Sequence, residues 1–501
     1  MKICASITES SAEKAIAAMN RAAWWADLLE IRLDYIEQPD LEALLANPPR
    51  PCLVTNRLKP EGGLFEGSED ERLALLAQAM TYNPAMIDLE LATGEEVLKA
   101  FARRKGETAL VISHHDFNRT PDFSTLTEII QRMKHHKADV GKVVTRVQTP
   151  EEMLRLKDLL IKAREIGQPL AAFGLGPLSR LSRVLAPLWG SALSYCSIGQ
   201  GKEAAPGQMT GPEMRRVFPG SSELDRVTPA TELYGVLGSP VGHSLSPVIH
   251  NAAFKRLGLN CFYVPMDVED AELAFQSIQR LGFRGVSVTR PHKIAVMSLL
   301  DQIEKPARVL GAVNTIVTRD GKYEGANTDW RGLVRSLEEH TTLSGRTALV
   351  AGAGGAARGA VYGLTKAKAS VVVTNRSEER GRKLADEFGA RFCPASQIKS
   401  VSPDMLINAT PLGMDPWRIE TPFSSDIFKP EMVVMDMVYF PLETRLLKEA
   451  RQKGCGVVDG LSMLLHQAAL QFEAWTGLSA PLEIMRSAAE NILEKEEDER
   501  H

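Results

Sequence analysis

Over residues 2–199, short apolar or β-branched runs alternate with stretches whose apolar residues recur at helical spacing. The runs are KICASI (2–7), LLEIRLDYI (28–36), PCLVTNRL (51–58), MIDLEL (86–91), ALVISHHDF (109–117), VGKVVTRV (140–147), PLAAFGLG (169–176) and LSYCSIG (193–199). Each has the length of a strand, and intervening segments such as 151–166 read as amphipathic helices. Eight strands alternating with helices predict a closed (β/α)8 barrel; an open doubly wound sheet is the alternative the same pattern allows. Residues 219–231 are polar, carry two prolines and read as a linker. A new strand, LYGVLG, starts at Leu233, and βα alternation continues to about residue 330. RTALVAGAGGAARGAVYGL, from Arg346, reads as a strand, a glycine-rich turn and a helix, and DGLSMLLHQAALQFEAWTG, from Asp459, as another helix.

Composition narrows the function classes. Apolar residues make up 44% and charged residues 24%, values of ordinary globular cores. The net charge of −4, with Lys and Arg spread along the chain, argues against a nucleic-acid partner. No apolar run reaches the roughly 18 residues of a membrane span. The six cysteines are widely spaced with no CxxC pair, which predicts neither a zinc site nor a disulfide framework and points to a reducing, cytoplasmic setting. The opening MKICASI already reads as a strand, so no signal or transit peptide is expected. The closing ILEKEEDERH reads as a solvated, charged tail.

In a barrel, chemistry sits at the C-terminal ends of the strands and in the loops after them. That rule selects Glu30 and Arg32 on the second run, Arg57 and Glu61 after the third, His114, His115 and Asp116 on the fifth, Lys142 inside the sixth, Arg180 after the seventh and Gln208 after the eighth. Lys142 is the most informative. Apolar surroundings disfavour a charged amine, nearby arginines push the same way, and a neutral amine attacks a ketone to form an imine. The imine acidifies the neighbouring carbon, and His115 is the nearest base type to take its proton, with Glu61 to orient it. No metal is called for. From the residues alone this is a Schiff-base lyase or aldolase acting on an anionic substrate.

The ordered set EIRLDYI, TNRLKPEGG, ISHHDF, GKVV, GPLSRL and APGQ resembles type I 3-dehydroquinate dehydratase over about residues 1–218. The resemblance implies an imine at Lys142, proton transfer at C2 and imine hydrolysis by His115, and a Glu61 partner. It also implies substrate contacts from Glu30, Arg32 and Arg57, and a carboxylate held by Arg180 with Gln208. Ala204 stands where such enzymes commonly have serine.

In the second half, Gly352-x-Gly354-x-x-Ala357 follows an apolar strand and opens a helix, the pattern of a dinucleotide turn. The next strand ends at Asn375 and Arg376, with Arg380 nearby, where an NAD-preferring fold has an acid; two cations favour the 2′-phosphate of NADP. Upstream, GSPVGHSLSP brings Ser244 and Ser246, VSVTRPHK brings Thr289 and Lys293, GAVNT brings Asn314, and GANTDWRG brings Asp329. A lysine beside a carboxylate shuttles the proton that accompanies hydride transfer.

With NATPLGM (408–414), DMVYFPLET (436–444) and DGLSMLLHQA (459–468), this set resembles shikimate dehydrogenase over about residues 232–492. The resemblance implies a catalytic pair Lys293–Asp329 and a substrate carboxylate on Ser244 and Ser246. Thr289, Asn314, Tyr439 and Gln467 complete the pocket. The resemblance further implies that NADP is held by Gly352, Gly354, Gly355, Ala356, Ala357, Asn375, Arg376 and Arg380, with Thr410, Met437 and Gly460 near the nicotinamide. Ser287 stands where the family often has asparagine.

The implied organisation is a barrel at 1–218, a linker at 219–231, a substrate-binding domain at 232–328 with 461–492, a Rossmann NADP domain at 329–460 and a tail at 493–501. The implied function is consecutive: 3-dehydroquinate to 3-dehydroshikimate, then NADPH-dependent reduction to shikimate, with small-molecule substrates as partners, neither nucleic acid nor membrane, and the oligomeric state left open. A Schiff-base aldolase, a ligand sensor that has kept an enzyme fold, and a quinate dehydrogenase in the second half are the competing readings.

Overall fold

The computed structural model describes residues 1–219, 224 and 227–498; the remainder of the expected linker and the last three residues of the expected tail lie outside the described residues. The chain divides into two compact units, Met1–Pro247 with Asn260–Phe283, and Val248–Leu259 with Arg284–His501.

In the first unit each of the eight runs forms a strand: β1 (Lys2–Ile7), β2 (Leu28–Arg32), β3 (Cys52–Thr55), β4 (Met86–Glu90), β5 (Ala109–Asp116), β6 (Val140–Arg146), β7 (Leu170–Leu175) and β8 (Leu193–Ser197). They pair in parallel in the order β7-β6-β5-β4-β3-β2-β1-β8. The two ends of the sheet approach where the Ala192 N–H donates to the Leu170 carbonyl at 2.8 Å. This is the predicted barrel, not an open sheet. The helix expected at 151–166 runs Pro150–Glu165, started by a Thr149–Glu152 capping box with proline at the first turn.

Side chains alternate in and out along each strand, so the barrel interior fills in layers. Cys4, Leu28, Leu53, Val111, Val140, Ala171 and Leu193 form an apolar floor. Two residues further along the same strands come Ser6, Glu30, Thr55, Ser113, Lys142, Phe173 and Tyr195, joined by Asp88 of β4, all buried. Ionised groups persist in such a layer only when paired. Arg57 lies 2.5 Å from Asp88 and 3.1 Å from Glu90, Arg72 lies 2.6 Å from Glu90, and Lys142 lies 3.3 Å from Asp88 and 3.6 Å from Glu30. Three cations thus meet three carboxylates. The first unit also holds the parallel pair β9 (Glu232–Gly238) and β10 (Cys261–Asp267), with Phe262 of β10 stacked on Phe218 at 5.5 Å.

In the second unit, β11 (Phe283–Val288) pairs antiparallel with β13 (Thr315–Arg319), β13 with β14 (Lys322–Ala326), and β12 (Gln302–Ile303) runs parallel to β14. A six-stranded parallel sheet follows: β15 (Thr347–Ala351), β16 (Ser370–Thr374), β17 (Arg391–Phe392), β18 (Met405–Asn408), β19 (Val433–Asp436) and β20 (Gly456–Val458), in the order β17-β16-β15-β18-β19-β20. That is the doubly wound dinucleotide topology, with the order reversing beside β15. Apolar clusters cover both faces. The helix Gly460–Thr476 lies close against the helix Asp329–Glu338: a Cβ on Gly332 would stand 2.8 Å from the Gln467 backbone nitrogen. The helix Leu482–Asp498 runs into the segment expected to be tail.

Candidate active sites

The barrel opens into a cavity of about 260 Å³, lined by Glu30, Arg32, Arg57, Glu61, His115, Lys142 and Gln208 among others. The lysine amine faces inward, 4.3 Å from the Tyr195 ring centroid. It lies 3.3 Å from Asp88 and 3.6 Å from Glu30, and Arg57, expected from the end of the third strand, pairs with the same Asp88 oxygen. Glu30 is fixed by the Ser6 and Thr55 hydroxyls at 2.7 and 3.2 Å, and Gln208 reaches Ser6 through its amide at 3.1 Å. Arg32 forms two hydrogen bonds with Asp34, at 2.8 and 2.6 Å.

His115 Nδ1 lies 2.7 Å from Glu61 Oε2. Burial, reinforced by the Arg57 and Lys142 charges, holds the imidazole well below its ordinary pKa, so it is neutral near pH 7. Burial pushes the Glu61 carboxyl up to about 7, against the pull of Arg57. Burial acts to raise Asp88 as well, but Arg57 and Lys142 outweigh it and hold that carboxyl below the usual range. One partly buried pair therefore has a base that is neutral and a carboxyl that titrates at working pH.

Arg180 does not line the cavity. It turns outward on the helix Ser179–Leu188, 2.9 Å from Glu213 and 2.9 Å from Asp267. The arginine that lines the cavity is Arg183, three residues on, its guanidinium 4.3 Å from the Phe173 ring centroid. Burial lowers it to about 10, and its Nη1 has no hydrogen-bond partner among the described residues. An uncompensated guanidinium at the cavity wall is a site for an anion. Sequence reasoning also missed Asp88 and Glu90. They are two residues apart in MIDLEL, the same signal that found Glu30 and Arg32. Ala204 lies in the cavity wall, and its N–H donates to Gln208 Oε1 at 2.7 Å.

In the second unit, Lys293 Nζ donates to Asp329 Oδ2 at 2.6 Å. Asn314 Nδ2 donates to Asp329 Oδ1 at 2.7 Å, to the Thr328 hydroxyl at 3.0 Å and to Gln467 Oε1 at 3.3 Å. Lys293, Asn314, Asp329 and Gln467 thus form one bonded group drawn from four segments. Thr328 and Gln471 belong to the same network and were not foreseen: Gln471 donates to the Asn314 carbonyl and the Thr315 hydroxyl, both at 3.0 Å. Ser287 donates its hydroxyl to Gln471 at 2.8 Å, so this departure from asparagine is absorbed by packing against the helix Gly460–Thr476. Thr289 lies in the turn after β11, its carbonyl accepting from the His292 N–H at 2.9 Å, and Tyr439 follows β19. In the first unit, the Ser246 N–H donates to the Ser244 hydroxyl at 3.2 Å.

A cleft of about 690 Å³ lies beside β15, lined by Gly352, Gly354, Thr374, Asn375, Arg376, Arg380 and Thr410 among others. Gly352 has φ +120°, and a Cβ there would stand 2.8 Å from the Ala409 carbonyl, so the turn admits only glycine. The helix Gly355–Lys366 starts without a side-chain cap, leaving its first N–H groups directed to the cleft end of the turn. The two arginines and the uncapped helix end suit a phosphorylated dinucleotide. Ala356 is in the first helical turn, and Ala357 is buried in the core below it. Met437 packs against that core, and a Cβ on Gly460 would stand 2.5 Å from the Val438 backbone; neither is among the residues lining this cleft. Asp436, raised to about 6 by burial, accepts from Asn408, Val438 and Thr444. Asn408 in turn accepts from the Thr410 N–H at 2.9 Å, which fixes the NATPLGM loop at the cleft rim.

Comparison with known proteins follows this division. Residues 3–225 match the model for type I 3-dehydroquinase. Residues 236–316 match the shikimate dehydrogenase substrate binding domain, 335–411 match shikimate / quinate 5-dehydrogenase, and 460–490 match the shikimate 5′-dehydrogenase C-terminal domain. A chloroplastic bifunctional 3-dehydroquinate dehydratase/shikimate dehydrogenase of Arabidopsis thaliana is 34% identical over 96% of this chain and 83% of its own. The NADP(+) shikimate dehydrogenase of Thermococcus kodakarensis is 43% identical over 52% of this chain and 96% of its own. A crystal structure of a shikimate dehydrogenase in complex with NADP+ is 40% identical, covers 53% of this chain and 97% of its own, and has a TM-score of 0.51.

Proposed function

Since the chain belongs to the bifunctional 3-dehydroquinate dehydratase/shikimate dehydrogenase family, we propose how its residues divide the two reactions. It dehydrates 3-dehydroquinate and then reduces 3-dehydroshikimate to shikimate with NADPH, two consecutive steps of the shikimate pathway. The observation that carries the assignment is that an inward lysine and a carboxylate-held neutral histidine share one barrel cavity, while a separate lysine–aspartate pair at 2.6 Å belongs to the dinucleotide-binding half.

In the dehydratase, Lys142 Nζ attacks the substrate ketone, and loss of water gives an iminium. His115 removes the C2 proton, the resulting enamine expels the hydroxyl β to the former ketone, and that hydroxyl leaves with a proton as water. Hydrolysis consumes one water and frees Lys142, so one water is lost overall. For this His115 must keep its Nε2 lone pair, which requires the Nδ1–H tautomer that an ionised Glu61 accepts from. Arg183 holds the substrate carboxylate in place of Arg180, supported by its unpartnered Nη1. Glu30, Arg32, Arg57 and Gln208 position the hydroxyls.

The pH dependence follows from Glu61. Below about 7 its carboxyl is protonated and no longer holds the active tautomer, so kcat/KM for dehydration is expected to fall as pH drops through that value. Glu61→Gln should remove this acidic limb and lower the neutral-pH rate on the order of 10-fold. A pH–rate profile of both proteins checks it; an unchanged limb in the variant assigns the ionisation elsewhere.

In the dehydrogenase, NADPH supplies the hydride when bound. Lys293 gives a proton to the carbonyl oxygen and recovers it through Asp329, which Asn314 orients. Ser244 and Ser246 bind the substrate carboxylate, and Thr289, Asn314, Tyr439 and Gln467 contact the ring. Gly352, Gly354 and Gly355 would receive the pyrophosphate, and Arg376 with Arg380 the 2′-phosphate. Arg376→Ala is expected to raise the KM for NADP about 10- to 100-fold, the worth of one charged hydrogen bond, and to leave that for NAD within about threefold. Equal changes for the two cofactors would remove the arginine from 2′-phosphate recognition.

The same proposal assigns residues 1–218 to the dehydratase, 232–328 with 461–492 to the dehydrogenase substrate domain, and 329–460 to NADP. It also sets the protein in the cytoplasm, supported by six free, buried cysteines; no helix among the described residues is long and apolar enough to cross a membrane. Mixing the pure protein with 3-dehydroquinate and NADPH tests the whole. Loss of cofactor absorbance with shikimate formed supports it, and no turnover from either half-reaction overturns it.

A further inference from the structure

Arg358 belongs to the helix that opens the dinucleotide turn, but its guanidinium binds another element. It is the fourth residue of the helix Gly355–Lys366, and its N–H donates to the Gly354 carbonyl at 2.9 Å, closing the first turn beside the glycines. Its Nε donates to the Leu310 carbonyl at 2.8 Å and its Nη2 to the Val309 carbonyl at 3.0 Å. These are the last carbonyls of the helix Lys305–Leu310, which ends at Gly311 with φ +64° and leaves them without helical partners. Nη1 and Nη2 also donate side by side to the Glu387 carboxylate on the helix Glu378–Phe388.

Gly311 begins the short segment that leads to Asn314. The Val313 N–H donates to the Lys293 carbonyl at 2.8 Å, the Asn314 N–H donates to the Ala326 carbonyl at 3.0 Å, and the Asn314 carbonyl accepts from the Val288 N–H at 2.7 Å. That segment is therefore fixed to the substrate-side sheet and to the backbone of Lys293. The dinucleotide helix is held near its far end by close packing, since a Cβ on Gly363 would stand 3.0 Å from the Trp330 carbonyl. At the end beside the glycine turn, Arg358 ties the helix to the fixed segment. One attachment near each end sets the tilt of a helix whose first N–H groups face the cleft.

We propose that Arg358 is a positioning residue for hydride transfer: by holding the Val309 and Leu310 carbonyls it sets the glycine turn at a fixed distance from Lys293 and Asn314, and with it the nicotinamide against the substrate ring. The inference rests on the assignment given above of that turn to the dinucleotide and of Lys293 to proton transfer. Each ligand keeps its own contacts when Arg358 is replaced, so each still binds. A displacement of about 1 Å between the reacting carbons costs a rate on the order of 10²-fold. The signature is therefore a fall in kcat with the affinities for both ligands retained.

The test uses the full chain. Arg358→Met keeps most of the apolar stem and removes the donors. Shikimate oxidation by NADP is expected to show kcat lowered about 10- to 100-fold, with the Kd for NADP and the Kd for shikimate, each measured alone by calorimetry, within about threefold. In the ligand-free variant, amide hydrogen exchange across 305–312 should quicken several-fold, because that helix end has lost its donor. Arg358→Lys should recover part of kcat, since an ammonium reaches one carbonyl and not both; should Arg358→Met fail to fold, the lysine variant decides by the same measures. Glu387→Gln is the contrast. It keeps both carbonyl bonds, so kcat should stay within about threefold; if it reproduces the whole loss, the effect belongs to the ion pair with the neighbouring helix and the proposal is overturned. A folded Arg358→Met protein with wild-type kcat, or with unchanged exchange at 305–312, overturns it as well. So does a Kd for NADP that rises as far as kcat falls, which reports a loosened nucleotide fold. Lys293→Ala separates the two layers of inference: retained shikimate oxidation there defeats the assignment of the site, whereas its loss beside an unaffected Arg358→Met defeats the positioning role alone.

Discussion

Lys142→Ala is expected to lower dehydration of 3-dehydroquinate by at least about 10⁴-fold, the scale of removing a covalent nucleophile, and to leave shikimate oxidation by NADP within about twofold. The amine is in the buried polar layer of the barrel, 6% exposed, with no second lysine among the described residues that line the cavity. Removing it leaves no group there that forms an imine. The variant should still fold. Asp88 keeps Arg57 at 2.5 Å and the Ser113 hydroxyl at 2.6 Å, and Glu30 keeps the Ser6 and Thr55 hydroxyls. Neither carboxylate is stranded, so the usual penalty for breaking a buried pair is largely avoided. Two measurements check this: steady-state appearance of the conjugated product, and borohydride reduction of the protein with 3-dehydroquinate followed by mass mapping. Wild type should carry an adduct on Lys142, and the variant none. Retained dehydration, or an adduct on another lysine, would remove the imine from this position.

Lys293→Ala should produce the mirror image: a fall in dehydrogenase kcat on the order of 10³-fold, typical of losing a proton-transfer group, with dehydration unchanged. The lysine lies 2.6 Å from Asp329, and its side chain is 30% exposed, accessible to a substrate hydroxyl. Asp329 retains its bond from Asn314 at 2.7 Å in the variant, so the network does not collapse with the lysine. Because the pair acts on the reacting oxygen, kcat falls more than KM rises. Assaying both activities on the same preparation makes the comparison internal. If a folded Lys293→Ala protein loses both activities together, the two sites are not independent.

The strand and helix periods made the architecture legible. Each apolar run became a barrel strand, because a buried parallel strand needs a continuous apolar stretch and few sequences supply eight at barrel spacing. The glycine turn at Gly352 was equally readable, since its φ of +120° excludes other residues. Choices among equivalent residues were not readable. LSRLSRV offers two serine–arginine pairs, and nothing local states which face of the helix meets the cavity. Arg180 was given the substrate carboxylate by the GPLSRL resemblance; in the structure Arg183 lines the cavity and Arg180 pairs with Glu213 and Asp267, because the rotation of a helix is set by what packs on both of its sides, here Phe173 on one and Asp267 with Glu213 on the other.

The charges around Lys142 were only half legible: Arg57 is there, paired with the same Asp88 oxygen, but the carboxylates were not foreseen. Arginines at strand ends suggested cations alone, whereas strand register brings Ser113 beside Lys142 and places Asp88, from β4, between it and Arg57 as a shared partner, 3.3 Å from the lysine and 2.5 Å from the arginine. A sequence determines by itself whatever depends on neighbours a few residues away: the strands, helices, caps and glycine turns, and with them the class of fold and the menu of reactive side chains. Only the folded chain decides which members of that menu meet. Contacts between segments dozens of residues apart depend on register, tilt and helix rotation, and these are settled jointly by the packing of the whole core.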